Sequence, residues 1–276
     1  MTKYRVIVGL SNPKNVARLM RIGCMMANEF DGQVVAVTVV ETDCDAPERT
    51  PECHDRMSRA YQILDTAEEL AKGCSADFRG TLSVGREVPE VLDEVAKAEN
   101  ASLIIVGYSE REHPNGTDSR FERLVDEIAS HAPCSLLIAN FRGEEKYDRV
   151  LVPVRANLSL DIRRDLLVAM QDQFGSDIDF VHFARSDQEA MRMHDQLEQW
   201  LAERKMKERA TLQVDVQDNP AQAIVDASAG YDLVVLGTAP LHEVRRKFFG
   251  AVPEYVAANA PCSTFLVRMQ DIQPHS

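Results

Sequence analysis

The chain has no apolar stretch approaching the roughly 18 residues needed to cross a bilayer. Its N-terminal Met1-Thr2-Lys3-Tyr4-Arg5 leads into a short apolar segment rather than a signal peptide. A soluble, cytoplasmic protein is expected. Basic residues are scarce: 31 Lys and Arg stand against 44 Asp and Glu, a formal net charge of −13. Binding to phosphate backbones needs a surplus of Lys and Arg, so general nucleic-acid binding is excluded. The six cysteines follow no regular spacing, which excludes a disulfide framework and suits a reducing compartment. No Ser/His/Asp set and no convergent pair of carboxylates can be extracted, so a hydrolase reading has no support.

What the chain does contain is one order of elements written twice. Each copy ends on an Ala-Pro-Cys step into an apolar run, Ala132-Pro133-Cys134-Ser135-Leu136 and Ala260-Pro261-Cys262-Ser263-Thr264. Each copy opens on an apolar strand, Val6-Ile7-Val8 and Val150-Leu151-Val152, and each has a later apolar run that stops at glycine, Leu103 to Gly107 and Leu233 to Gly237. The distance from that glycine to the Pro-Cys cysteine is nearly kept. The chain therefore reads as a tandem repeat of one domain, with domains at 1–143 and 147–269 around the charged linker Arg142-Gly143-Glu144-Glu145-Lys146. Hydrophobic residues make up 45% of the chain, ample for two cores in domains of about 130 to 140 residues.

In the first copy, Asn12-Pro13 predicts an N-cap with proline at the first helical position, and Val16, Leu19, Met20, Gly23 and Ala27 then recur on one face. Val34 to Val40 reads as the second strand. The polar segment from Glu41 to about Glu52, with two prolines, reads as a loop. Met57, Ala60, Leu64, Ala67 and Ala71 mark the inward face of the helix after it. Strands follow at Phe78 to Val84, Leu103 to Gly107 and Ser135 to Ala139, with helices from Pro89 to about Glu99 and ending near His131. The second copy predicts strands at 149–154, 178–183, 211–216, 232–237 and 263–267, and helices at 159–173, 187–207, 220–229 and 250–259. Alternating strands and helices imply right-handed crossovers and a parallel sheet covered on both faces. The near-continuous Val, Ile and Leu of the strands fit that burial.

These residues resemble the universal stress protein family, in its tandem form, over nearly the whole chain. The resemblance rests on Val150-Leu151-Val152-Pro153-Val154, on Gly85-Arg86-Glu87-Val88-Pro89 with its partner Asp218-Asn219-Pro220, on the Leu233 to Gly237 strand, and on the two steps His131 to Cys134 and Asn259 to Cys262. It implies an α/β fold of two tandem doubly wound domains, each with a five-stranded parallel sheet of the adenine-nucleotide alpha-hydrolase-like kind. Family members pair through strand five, which implies an intramolecular pseudo-dimer here, with further homodimer formation open. Many members bind ATP or a related adenine nucleotide, through Gly-x2-Gly-x9-Gly-Ser/Thr starting at the glycine that closes strand four. Glycines let backbone amides reach phosphate oxygens, and the next helix N-terminus adds its positive end.

The second copy matches that signature in part, with Gly237, Pro240, Gly250 and Ala251 at its positions. The first keeps Gly107, but Glu110 stands at the second glycine, and Glu122 and Arg123 at the final pair, so that site reads as closed to ATP. Neither copy carries the family's acidic residue after strand one: the first has Ser11-Asn12-Pro13, the second Arg155-Ala156-Asn157. First turns of the Asn-Pro kind also occur in stress-protein domains attached to, or encoded beside, permeases and cation antiporters. The resemblance thus implies a degenerate adenine-nucleotide or anion pocket, mainly in the second copy, formed by Pro153, Val154, Arg155, Phe183, Gly237, Thr238, Arg245, Gly250 and Ala251. Arg155, Arg245, Arg246 and Lys247 read either as an anion site at the strand ends or as a solvated basic face. The first-copy set Arg111, His113, Arg120 and Arg123 is mixed with Glu110, Glu112 and Glu122. Cys44, Cys53 and His54 could hold zinc with one more donor, but read better as ordinary loop residues. Cys134 and Cys262 read as packed rather than redox-active, and His182 as a core or strand-end histidine. The expected function is a non-catalytic regulatory module that answers a ligand. The alternatives are an ATP-binding stress protein with slow hydrolysis and a ligand-free module docking to a membrane transporter.

Overall fold

The computed structural model describes residues 3–42, 51–108, 127–129, 132–155, 161–204, 209–237 and 251–268, with only the backbone of 161–163 and 204. The chain divides into two compact units, residues 1–139 and 140–276.

The first unit runs β1 (Arg5–Gly9), a 3-10 turn (Pro13–Asn15), α1 (Val16–Glu29), β2 (Gln33–Glu41), α2 (Pro51–Ala71), β3 (Asp77–Gly85), α3 (Val88–Ala98), β4 (Leu103–Tyr108) and β5 (Ser135–Asn140). Its strands lie in the order β3-β2-β1-β4-β5. The pairs β1·β2, β1·β4 and β2·β3 are parallel, the doubly wound order in which the chain reverses direction across the sheet between β1 and β4. Val6, Ile7 and Val8 are fully buried, as a strand covered on both faces requires.

Asn12 caps as its sequence suggests, its Oδ1 accepting from Lys14 N at 3.0 Å, but the cap opens the 3-10 turn, and α1 starts only at Val16. The predicted inward face of α1 is the buried one: Val16, Leu19, Met20, Gly23 and Ala27 all lie inside. Gly23 lets α1 approach β1 closely, because a methyl there would sit 2.6 Å from Val8 Cγ2. Of the segment read as a loop up to about Glu52, residues 43–50 lie outside the described residues, and Glu41 belongs to β2. Pro51 and Glu52 belong to α2, since proline suits the first helical turn, where its missing N–H has no partner to lose.

The second unit runs β6 (Arg149–Pro153), α4 (Asp161–Phe174), β7 (Asp177–Ala184), α5 (Asp187–Arg204), β8 (Ala210–Val216), α6 (Pro220–Ala227), a 3-10 turn (Ser228–Gly230), β9 (Leu233–Gly237), α7 (Ala251–Asn259) and β10 (Ser263–Arg268). Its order is β10-β9-β6-β7-β8, again with parallel pairing throughout. Phe180 and Phe265 are buried at 1% and 0% exposure, and Phe180 meets Trp200 of α5 edge to face at 5.6 Å. The helix predicted to reach residue 229 ends at Ala227, where the chain tightens into the 3-10 turn.

The duplication extends to single hydrogen bonds. Leu10 N donates to Val37 O at 2.8 Å and Val154 N to Val181 O at 2.8 Å; Ser102 N donates to Arg5 O at 2.8 Å and Asp232 N to Arg149 O at 3.0 Å. The strand registers agree as well: Arg5 pairs with Gln33 as Arg149 does with Asp177, and Val35 with Arg79 as Asp179 does with Thr211. That shared register equates Glu87 with Asn219, the N-caps of α3 and α6. It also equates Val39 with Phe183, Gly85 with Gln217, Val91 with Ala223 and Val95 with Ala227.

Candidate functional site

Ligands of open parallel sheets bind beyond the carboxyl ends of the strands, where the strand order reverses. In the first unit that place is a small cleft of about 70 Å³, bounded by Gly9 at the end of β1, by Leu10 and Ser11 after it, and by Val106 and Gly107 of β4. Val37 and Val39 of β2, Val88 and Leu92 of α3, and Ile128 complete its lining. No charged side chain lines it among the described residues. Glu110, Glu122 and Arg123, with Arg111, His113 and Arg120, lie outside the described residues. In the described residues this cleft is lined by aliphatic side chains and glycines, with Ser11 beside them.

The second unit has a cleft of about 440 Å³ on the same sheet face. Its floor is Leu151, Val181 and Phe183, one from β6 and two alternate residues of β7. Its roof is α6, and the reason it is open lies in two exchanges. In the first unit Val91, 8% exposed, packs over Gly85 so closely that no side chain would fit on that glycine. The equivalent pair, Ala223 and Gln217, both line the cleft. Val95 likewise gives way to Ala227. Removing the valine methyls from the helix leaves a gap that the long, polar Gln217 borders from the edge without filling.

The rim is polar and held in place. Gln213 Nε2 donates to Asp215 Oδ2 at 2.6 Å, and Gln222 Nε2 to Asp226 Oδ1 at 2.8 Å. Tyr255 of α7 donates its hydroxyl to Gln222 Oε1 at 2.7 Å, tying α6 to its neighbour. Asn219 caps α6, its Oδ1 accepting from Gln222 N at 3.3 Å. At the far end Tyr231 donates to Asp179 Oδ2 at 2.8 Å, and the Arg149 guanidinium lies 4.6 Å above the Tyr231 ring. Burial, and then the bond to Asp179, push the Tyr231 phenol up to about 12. Arg149 is itself engaged, donating to Gly230 O at 2.8 Å and facing Asp179 at 3.5 Å. Asp215, Asp218 and Asp226 line the cleft, and no described Lys or Arg does.

Of the expected site residues, Pro153 ends β6 half-buried, Val154 is 5% exposed with its amide bonded to Val181 O, and Arg155 is exposed just beyond. Gly237 ends β9 and Ala251 opens α7. Thr238, Arg245 and Gly250 lie outside the described residues, as do Pro240, Arg246 and Lys247. Only Phe183 of the expected set lines the large cleft. The carboxylates and amides of its rim were missed by the sequence reading. Their signal was the exchange of Val91 for Ala223 and of Val95 for Ala227, visible only once the copies are aligned by strand register.

His182 is 4% exposed and faces away from the cleft, alternating with Val181 and Phe183. Its Nδ1 lies 2.9 Å from Val154 O and its Nε2 3.7 Å from Glu189 Oε1, so it is a buried strand-end histidine, as read. Cys134 and Cys262 are buried at 6% and 8%, and burial pushes the Cys262 thiol up to about 11. A thiol so protonated is a weak nucleophile. Cys53 sits inside α2 against Val40 and Ala60, while His54 is exposed and Cys44 lies outside the described residues. Among the described residues no group of three His, Cys, Asp or Glu is placed to hold a metal, and no helix is long and apolar enough to cross a membrane.

Residues 3–140 and 146–268 each match the model of the universal stress protein family. Over 256 residues, 90% of this chain, the sequence is 23% identical to the Na(+)/H(+) antiporter NhaS5 of Synechocystis sp., and the match spans only 35% of that protein. A universal stress protein from Archaeoglobus fulgidus superposes with a TM-score of 0.67 at 12% identity, covering 96% of this chain and 98% of its own. The cytoplasmic domain of a prokaryotic cation chloride cotransporter superposes with a TM-score of 0.62 at 13% identity, covering 96% and 95%. The two structural likenesses concern the fold.

Proposed function

We propose, from the premise that the chain belongs to the universal stress protein family, that it is a non-catalytic regulatory module whose adenine-nucleotide or anion pocket survives mainly in the second half. The observation that supports this reading is the cleft of about 440 Å³ in the second half, which reaches Phe183 of the expected set. It has an apolar floor of Leu151, Val181 and Phe183 beneath a largely polar rim. Phe183 offers a flat ring where the first half has Val39, and planar bases stack on aromatic faces. The expected phosphate residues Gly237, Thr238, Arg245, Gly250 and Ala251, with Pro153, Val154 and Arg155, form the outer part of the same proposal. Ligand binding then biases a partner through the different affinities of two states of the module.

Similarity to a cation antiporter over most of this chain favours a membrane transporter as that partner, and a cytoplasmic location with it. Pairing of the two copies through their fifth strands is proposed on the strength of the duplicated sequence alone. The test is mass spectrometry of small molecules carried by the purified full chain, beside an ATP turnover assay. An adenine-containing molecule held by the wild type and lost from Ala223→Leu, without turnover, is the expected result. Enzyme-like turnover would make the chain an ATPase, and no bound ligand under any condition would leave a docking module.

A further inference from the structure

We infer that Cys24 and Cys74 are a redox-active pair, whose two thiols a peroxide converts into a disulfide tying α1 to the end of α2. The pair lies in the first unit and stands independently of the nucleotide reading. Both residues carry free, half-buried thiols, open to a small oxidant, whereas Cys53, Cys134 and Cys262 are buried. Cys24 stands in α1 one turn before Asn28, on the same side of the helix. Cys74 follows α2, its amide donating to Ala71 O at 2.9 Å. Asn28 Oδ1 fixes that segment against α1, accepting from Cys74 Sγ at 3.4 Å and from Ala76 N at 2.9 Å. With the Cys74 proton so placed, its sulfur is left to accept from Cys24, and the two side chains are hydrogen-bonded to each other.

That contact sets the chemistry. Burial, and then the bond to Cys74, push the Cys24 thiol up, so it stays protonated and the first attack falls to Cys74, the thiolate being the nucleophile. The Cys74 sulfur attacks one oxygen of hydrogen peroxide. An S–O bond forms, the O–O bond breaks, and the other oxygen leaves as water with the thiol proton, so that Cys74 becomes a sulfenic acid. Cys24 then attacks the sulfenic sulfur: the S–S bond forms, the S–O bond breaks, and the hydroxyl leaves with the Cys24 proton as a second water. Two electrons have passed from the thiols to the peroxide. A neighbour already in contact reacts at an effective concentration that no dissolved thiol reaches, and the sulfurs need only close to the disulfide length of about 2.05 Å. The bridge closes the chain from residue 24 to residue 74 around β2 and α2, which restrains the unfolded state.

The experiment is a peptide map by mass spectrometry of the full chain, first reduced, then exposed to a small excess of hydrogen peroxide and quenched with a maleimide. The expected product joins the Cys24 and Cys74 peptides, is lighter than the reduced pair by two hydrogens, and is lost on treatment with dithiothreitol. Its formation should raise the urea midpoint of the wild type but not of Cys24→Ser. In Cys24→Ser a sulfenic acid should accumulate on Cys74 and be captured by dimedone. Asn28→Ala should slow the bridge severalfold with an unchanged far-ultraviolet spectrum, because the segment after α2 loses its hold on α1. Thiols of Cys24 and Cys74 that stay reduced in the folded wild type under excess peroxide would overturn the inference. Bridges from either residue to another chain, or to any other cysteine of this one, would overturn it equally.

Discussion

Val39 and Phe183 hold the same register position, as do Val35 and Asp179, and from such pairs the two halves acquire different chemistry. Asp179 is half-buried among partners, bonded to the Tyr231 and Thr211 hydroxyls and facing Arg149, so its charge is compensated where Val35 needed no partner. The Tyr231 phenol, raised to about 12 from an ordinary 10.0, gives a pH prediction with a definite sign. Below pH 10 both folded and unfolded states keep the proton and stability is unaffected. Between pH 10 and 12 the unfolded chain loses the proton first, so stability falls as pH rises. Denaturant midpoints at pH 9 and 11.5 should show a smaller fall in Tyr231→Phe than in wild type, although the variant starts lower by about 1 kcal/mol for the lost hydrogen bond. An equal fall in both proteins would remove Tyr231 as the titrating group.

Helix ends and helix contacts carry the next level. No basic residue occupies the last turn of α7, and Arg142 supplies the missing charge, donating to Ala258 O at 2.8 Å and Ala260 O at 2.9 Å. Helices leave their last carbonyls unpaired and favour a cation there. Arg142→Ala should therefore lower the stability of the second unit by about 1 to 2 kcal/mol, with Arg142→Lys recovering part of it, as read by urea denaturation. At the other end of the scale of contact, Gly23→Val should cost about 2 to 3 kcal/mol, since α1 rests directly on Val8 and overpacking a rigid contact strains both elements. Unchanged stability in that variant would mean that α1 can move away from β1. The cap of α6 is a third case. Asn219→Ala should cost about 1 kcal/mol and loosen the cleft roof, because α6 has only eight residues over which to hold itself in place.

For the whole molecule, the proposed regulatory reading predicts that the full chain turns ATP over no faster than solution hydrolysis. A phosphate-release assay checks this, and a rate near one per second would contradict it. The sequence by itself determined the tandem repeat, the order of the elements and the faces they bury, because each is written in local periodicity: Val16, Leu19, Met20, Gly23 and Ala27 point one way on any α-helix. The buried state of Cys134, Cys262 and His182 was legible for the same reason, being a matter of position along a covered strand. The cleft of the second half was decided only by tertiary structure. There Ala223 and Gln217, at the register positions of Val91 and Gly85, both line the cleft, a difference of side-chain volume between a helix and a strand edge that local pattern does not register. The acidic rim is likewise a product of folding, since Asp215 on β8, Asp218 in the turn and Asp226 on α6 become one electrostatic environment only when α6 lies back across the sheet.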